Sequence, residues 1–122
     1  LKDLGFVKVY SSSILDFSVD YQRDFVFTKG LLIHISPEHL AHAYKILYNS
    51  TSKYLCIVEY FDPKPVEIPY RGHRNRLFKR DFAGDLLKTY EDLELIDYGF
   101  VYHGDNNFPQ DDLTWFLMER RE

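Results

Sequence analysis

The segment Tyr54-Leu55-Cys56-Ile57-Val58-Glu59-Tyr60 limits the folds open to this chain more than any other. It is a short apolar run without alternation, closed by Glu59. Asn49-Ser50-Thr51-Ser52 precedes it and Asp62-Pro63-Lys64-Pro65 breaks it. A strand covered on both faces reads this way, and such strands belong to parallel sheets. What comes before agrees. Ser36-Pro37-Glu38 is a helix start: Ser36 suits the cap, Pro37 the first helical position and Glu38 the positive end of the helix dipole. Leu40, Ala43, Tyr44 and Leu47 then recur at helical spacing, which predicts an amphipathic helix over 37–49. Residues 24–29, Asp24-Phe25-Val26-Phe27-Thr28-Lys29, read as a strand ending at Gly30. Strand, helix and strand at this spacing imply a right-handed parallel crossover.

The rest of the chain extends the pattern. Gly5-Phe6-Val7-Lys8-Val9-Tyr10 alternates and predicts a first strand over 5–10. Residues 63–76 are rich in Pro and Arg and read as a loop. Leu77, Phe78, Phe82, Leu86 and Leu87 indicate a helix over roughly 78–90. Leu93 to Tyr102 and Leu113 to Glu119 read as strands. The linker between them holds no helical pattern, so they form an antiparallel hairpin. The expected class is α/β, in one domain over 1–122, with parallel strands and a C-terminal antiparallel hairpin.

Bulk properties narrow the function classes. Ten Phe and ten Tyr supply large side chains for a small core. A net charge of −4 argues against nucleic-acid binding, which needs a basic footprint. The one cysteine, Cys56, has no partner for an internal disulfide, which suits a reducing, cytoplasmic setting and a buried apolar role. No apolar stretch reaches the roughly 18 residues of a membrane span. The chain opens on Leu, not Met, and reads as cut from a longer one or processed.

Ligands of open α/β sheets sit beyond the carboxyl ends of the strands. That rule selects Ser12 to Asp16, Thr28 to His34, and Glu59 with Tyr60. Asp16 suits a hydrogen bond from an adenine amine or a ribose hydroxyl, and equally a turn. Gly30 lets the backbone approach a ligand. His34 has the chemistry of a general base, against the simpler reading of a histidine filling a loop. His39 and His42 are three apart, not the four of a helical zinc site, so no metal is expected. Arg71-Gly72-His73-Arg74-Asn75-Arg76 with Lys79-Arg80 is the basic cluster, suited to gripping a carboxylate or phosphate or simply to a solvated loop. Residues 105–112 are acidic and polar but lack calcium-loop spacing. The sequence has neither G-x-G-x-x-G nor a phosphate-binding P-loop, no G-x-S-x-G and no plausible Cys/His pair.

Two stretches, Ser13-Ile14-Leu15-Asp16 and Phe25 through Pro37, resemble the middle of a class I S-adenosylmethionine-dependent methyltransferase. Glu59-Tyr60-Phe61-Asp62-Pro63 through Tyr70-Arg71-Gly72-His73 is more particular. So are Leu77-Phe78-Lys79-Arg80-Asp81-Phe82-Ala83-Gly84-Asp85, Asp97-Tyr98-Gly99-Phe100-Val101-Tyr102-His103, and Asn107 through Phe116. Together they resemble the methylases associated with pseudaminic acid biosynthesis, over nearly the whole chain.

That resemblance implies a Rossmann-like sheet in the order 3-2-1-4-5-7-6, of which this chain is similar to strands three to seven. The N-terminal two strands and the glycine loop are missing. It implies S-adenosylmethionine as cofactor, with Asp16 near the adenine and Ser13, Thr28, Lys29 and Gly30 lining the cofactor. His34, Glu59, Tyr60, Tyr70, Arg71 and His73 would face an anionic small-molecule acceptor, with His34 or Glu59 accepting the proton. Without strand one, the edge at 24–29 needs cover. Either a second copy pairs there as a homodimer, or residues 5–10 fold back onto it.

Overall fold

The computed structural model describes residues 8–70, 75–102 and 113–121. Its main sheet has four strands: β1 (Arg23–Lys29), β2 (Thr51–Glu59), β5 (Leu93–Val101) and β6 (Leu113–Arg120). They lie in the order β1-β2-β6-β5. β1 and β2 are parallel and joined through helix α1 (Pro37–Ser50). β6 enters between β2 and β5 and runs antiparallel to both. Helix α2 (Phe82–Thr89) leads into β5.

Both helices cover the same face. Leu40, Ala43, Tyr44 and Leu47 of α1 and Phe82, Ala83 and Leu86 of α2 share one buried cluster with Leu55, Ile57, Leu93 and Met118 of the sheet. Tyr44 donates its hydroxyl to Asp85 Oδ2 at 2.7 Å, and Arg80 meets the same oxygen at 2.8 Å, so a polar link joins the two helices above the apolar layer. At the sheet's other end, Tyr48 stacks on Tyr90 at 3.9 Å and carries Arg120 on its ring. Arg120 and Tyr48 both donate to Asp92.

Helix boundaries follow from local chemistry. Ser36 holds the cap position of α1, but its hydroxyl turns to Glu38 at 3.4 Å instead of capping an amide as its residue type suggests. Pro37 at the first position removes one amide that would need a cap. The helix runs straight into β2, and its last carbonyls are taken by Ser50 Oγ on Ile46 and Thr51 Oγ1 on Leu47. Asp81 caps α2 by accepting from the Gly84 amide at 2.9 Å.

Three expectations are corrected. Of the strand expected over 5–10, residues 8–10 form none and do not pair with β1; residues 5–7 lie outside the described residues. Val9 and Tyr10 are exposed, and alternation alone gave this segment no strand to pair with. The loop expected over 63–76 contains β3 (Val66–Tyr70) and the start of β4 (Asn75–Lys79), an antiparallel pair. The helix expected from about 78 begins at Phe82, because Leu77 and Phe78 belong to β4.

Among the described residues, the apolar run of β2 is fully covered on one face only; on the other, Val58 is buried but Tyr54 and Cys56 are not. No described helix lies on the other face, where Phe25 and Phe27 of β1 are each 54% exposed and Tyr54, Cys56, Trp115 and Leu117 are half-buried. Among the described residues β1 pairs as a strand with β2 alone.

Candidate functional site

The parallel pair creates the site. β1 and β2 point their carboxyl ends the same way, so Lys29 and Glu59 finish side by side, with Lys29 in register with Val58. The chain must then leave β1 sharply. Gly30 allows this with φ +60, in the left-handed region, while its amide holds Val58 O at 2.9 Å. A 3-10 turn, Leu32–His34, follows at once.

Glu59 fixes that turn. Its Oε2 accepts from the amides of Leu31 and Leu32, each at 3.0 Å, and its Oε1 from the amide of Ile33 at 3.2 Å. The carboxylate is buried, and these amides are the ones left unpaired at the start of a helical turn. Burial pushes the Glu59 carboxyl above the ordinary carboxylate range, while the three amides pull in the opposite direction.

A cleft of about 270 Å³ opens beside this turn. Lys29 and Gly30 line it from the end of β1, Ile33 and His34 from the turn, and Tyr60 from the residue after β2. Leu77 of β4 and Leu113 of β6 close it from the far side. Lys79 places its ammonium 5.7 Å from the centre of the Tyr60 ring. Backbone, imidazole, ammonium and phenol therefore meet over an apolar floor, the composition of a small-molecule pocket.

The structure thus brings together four of the residues singled out from the sequence: Lys29, Gly30, His34 and Tyr60. Glu59 stands behind the wall with both oxygens engaged. Thr28 precedes the cleft without lining it, and its buried Oγ1 has no hydrogen-bond partner among the described residues. Ser13 and Asp16 lie on a separate 3-10 turn, Ile14–Asp16. There the Ser13 hydroxyl accepts from the Leu15 amide at 3.2 Å, and His42 Nε2 donates to Leu15 O at 2.9 Å, seating the turn on α1. Asp16 is exposed. A second groove, about 340 Å³, runs between that turn and β1 past Ile14, Phe17, Phe25 and Phe27. Tyr70 ends β3, and Arg71 and His73 lie outside the described residues.

Leu77 and Leu113 were not foreseen as lining residues. They arrive from hairpins whose approach to β1 no local pattern announces. Among the described residues, no group of three His, Cys, Asp or Glu side chains could hold a metal ion. No described helix is long and apolar enough to cross a membrane.

The fold, a mixed sheet with a cleft at the carboxyl ends of its parallel strands, is shared with solved methyltransferases. The chain is similar to Burkholderia thailandensis 1,6-didemethyltoxoflavin-N1-methyltransferase, solved with bound 1,6-didemethyltoxoflavin and S-adenosylhomocysteine. That match has a TM-score of 0.67 at 11% identity, over 89% of this chain and 48% of that one. A SAM-dependent methyltransferase from Methanosarcina mazei matches with a TM-score of 0.63 at 10% identity, over 91% and 65%. Magnesium protoporphyrin IX methyltransferase from Synechocystis PCC 6803, solved with bound SAM, matches with a TM-score of 0.52 at 14% identity, over 88% and 42%. The chain spans less than two thirds of the length of each of these three structures. No family model matches the sequence, and no curated protein sequence matches it either.

Proposed function

We propose that this chain is the C-terminal portion of an S-adenosylmethionine-dependent methyltransferase acting on a small anionic acceptor. The observation that carries the reading is the cleft at the carboxyl ends of β1 and β2, walled by Lys29, Gly30, His34 and Tyr60, on a fold whose solved counterparts hold SAM or S-adenosylhomocysteine. In this reading Ser13, Asp16, Thr28, Lys29 and Gly30 serve the cofactor. Tyr60, Tyr70, Arg71 and His73 serve the acceptor, and His34 is placed to take its proton. The particular resemblance of residues 59–73, 77–85 and 97–116 points to a sugar of the pseudaminic acid type. Most of the rate would come from alignment of methyl donor and acceptor. The sequence has no glycine-rich loop to cradle the cofactor tail, so the 122-residue chain alone would bind it weakly and turn over little.

S-adenosylhomocysteine titrated to millimolar concentration into the isotope-labelled chain tests this. Shifts confined to the amides of residues 13–16 and 28–34 are expected. No change at those amides would overturn the reading.

One observation favours a second reading, a non-catalytic binding or assembly module on the same fold. Among the described residues β1 pairs as a strand with β2 alone, which suits pairing of its other edge with a second copy. A monomer at high concentration, with the 24–29 amides exchanging freely, would sink that version. Micromolar cofactor binding by the chain itself would eliminate the module altogether.

A further inference from the structure

We propose that Glu59 is a positioning residue for the cleft: its carboxylate gathers the amides of Leu31, Leu32 and Ile33 and so holds the turn that presents Gly30 and His34 to a bound ligand. The inference rests on the cleft being a ligand site, as proposed above, and it gives Glu59 a different task from proton acceptor.

The geometry excludes the simpler alternative that Glu59 is only a buried strand residue. It closes the apolar run of β2 and is 1% exposed. A carboxylate so placed has to find donors, and among the described residues those donors are backbone amides. It takes three successive amides, all from residues 26 to 28 positions earlier in the chain. Those residues run from Gly30 into the Ile33–His34 pair, and Gly30, Ile33 and His34 all line the cleft. Glu59 is itself followed by Tyr60, on the facing wall. One side chain therefore sets the distance between the two walls. The same engagement disqualifies it as the proton acceptor, because both oxygens are committed and it does not line the cleft.

Charge matters as well as shape. An ionised carboxylate accepts at both oxygens, whereas a glutamine amide offers one acceptor and turns an N–H₂ toward a donor. Glu59→Gln must leave at least one of the three amides unsatisfied. Glu59→Asp keeps the charge but shortens the reach by one methylene.

The first experiment needs no variant. The amide signals of Leu31, Leu32 and Ile33 are followed as pH falls. They should move together, with one midpoint above the ordinary glutamate range, because burial raises this carboxyl. The titratable groups bordering the region are Lys29, His34 and Tyr60 at the cleft, and Tyr44 on α1, whose phenol is pushed up in small part by the Glu59 charge. A His34 titration would move the His34 ring signals at the same midpoint, which separates the two. In Glu59→Gln the shared midpoint should vanish. Hydrogen exchange at these three amides should quicken about tenfold or more, in line with loss of a bond to a charged acceptor, while β5 and β6 amides stay unchanged. Glu59→Asp should restore part of the protection. Independent titration of the three amides, or unchanged exchange in Glu59→Gln, would overturn the proposal. If Glu59→Gln fails to fold, the wild-type titration still decides. If the wild-type chain shows no S-adenosylhomocysteine shifts, the methyltransferase reading fails while these amide measurements still report on Glu59.

Discussion

The two faces of the sheet differ more than their sequences do. On one face Leu55, Ile57 and Met118 are fully buried beneath α1 and α2. On the other, Phe25 and Phe27 stack at 6.4 Å between ring centres and remain more than half exposed. Both sets are large and apolar, and they alternate along the same strands, Phe25↔Tyr54 against Val26↔Leu55. Residue type therefore marks both faces as fit for a core, and the supply of covering elements decides which becomes one. A bare aromatic face of this kind marks a surface made to be covered. Among the described residues the contrast is between a layer that helices cover and one that they leave bare.

The largest expected effect tests that contrast directly. Leu55→Ala removes a fully buried side chain and should cost about 2–5 kcal/mol of unfolding free energy. Phe27→Ser, one register step away on the bare face, removes a larger side chain yet should change stability by only about 0.5 kcal/mol. It should also reduce self-association. Urea unfolding of both variants measures the difference. Equal losses would mean that the second face is covered in solution and that the contrast is wrong.

An intermediate effect is expected where the bare face has its own packing. Trp115 lies across Gly99 of β5, so that a β-carbon there would sit 2.5 Å from Trp115 Nε1 and 2.6 Å from Cε2. Gly99 is thus required by a close approach in the middle of a strand. Gly99→Ala should lose about 1–3 kcal/mol through overpacking. Because no described helix pins the indole from above, Trp115 should swing outward and its fluorescence emission should move to longer wavelength. An unshifted spectrum with unchanged stability would show that the indole has room to slide, and that this part of the face is not packed at all.

Much of the covered layer was legible in the sequence, for a physical reason. Helical spacing in 37–49 and the apolar run at 54–60 report burial, and burial is what the covered face supplies. Residues 8–10, read as the end of a strand, form none, because alternation reports only that a segment could pair, not that a neighbour exists. The β3–β4 hairpin was hidden by Pro65 and Pro69, which read as breakers. Pro69 is nevertheless accommodated on β3, paired with Arg76 in a two-stranded ribbon that is all edge. Gly30, His34 and Tyr60 were selected by the rule that ligands sit beyond strand ends, and all three line the cleft. The engagement of Glu59 with three amides could not be read, because its partners lie 26 to 28 residues earlier. The available signal was an acid closing a buried run, which has to find donors somewhere.

The smallest effect sharpens the comparison without altering the protein's packing. Cys56 is the described free cysteine and points to the bare face, in register with Phe27 and Leu117. It is only half-buried, yet burial still pushes its thiol above the ordinary range. Alkylation proceeds through the thiolate. At neutral pH Cys56 should therefore react more slowly with iodoacetamide than a free thiol, and its rate should climb with pH beyond the point where an ordinary cysteine levels off. The thiol would then serve as a reporter: any partner layer that seats on Phe25, Phe27 and Leu117 should suppress its alkylation further, while a ligand confined to the cleft beside His34 should leave the rate unchanged. Suppression by a cleft ligand would show that the two regions are coupled and that the sheet does not keep its faces independent.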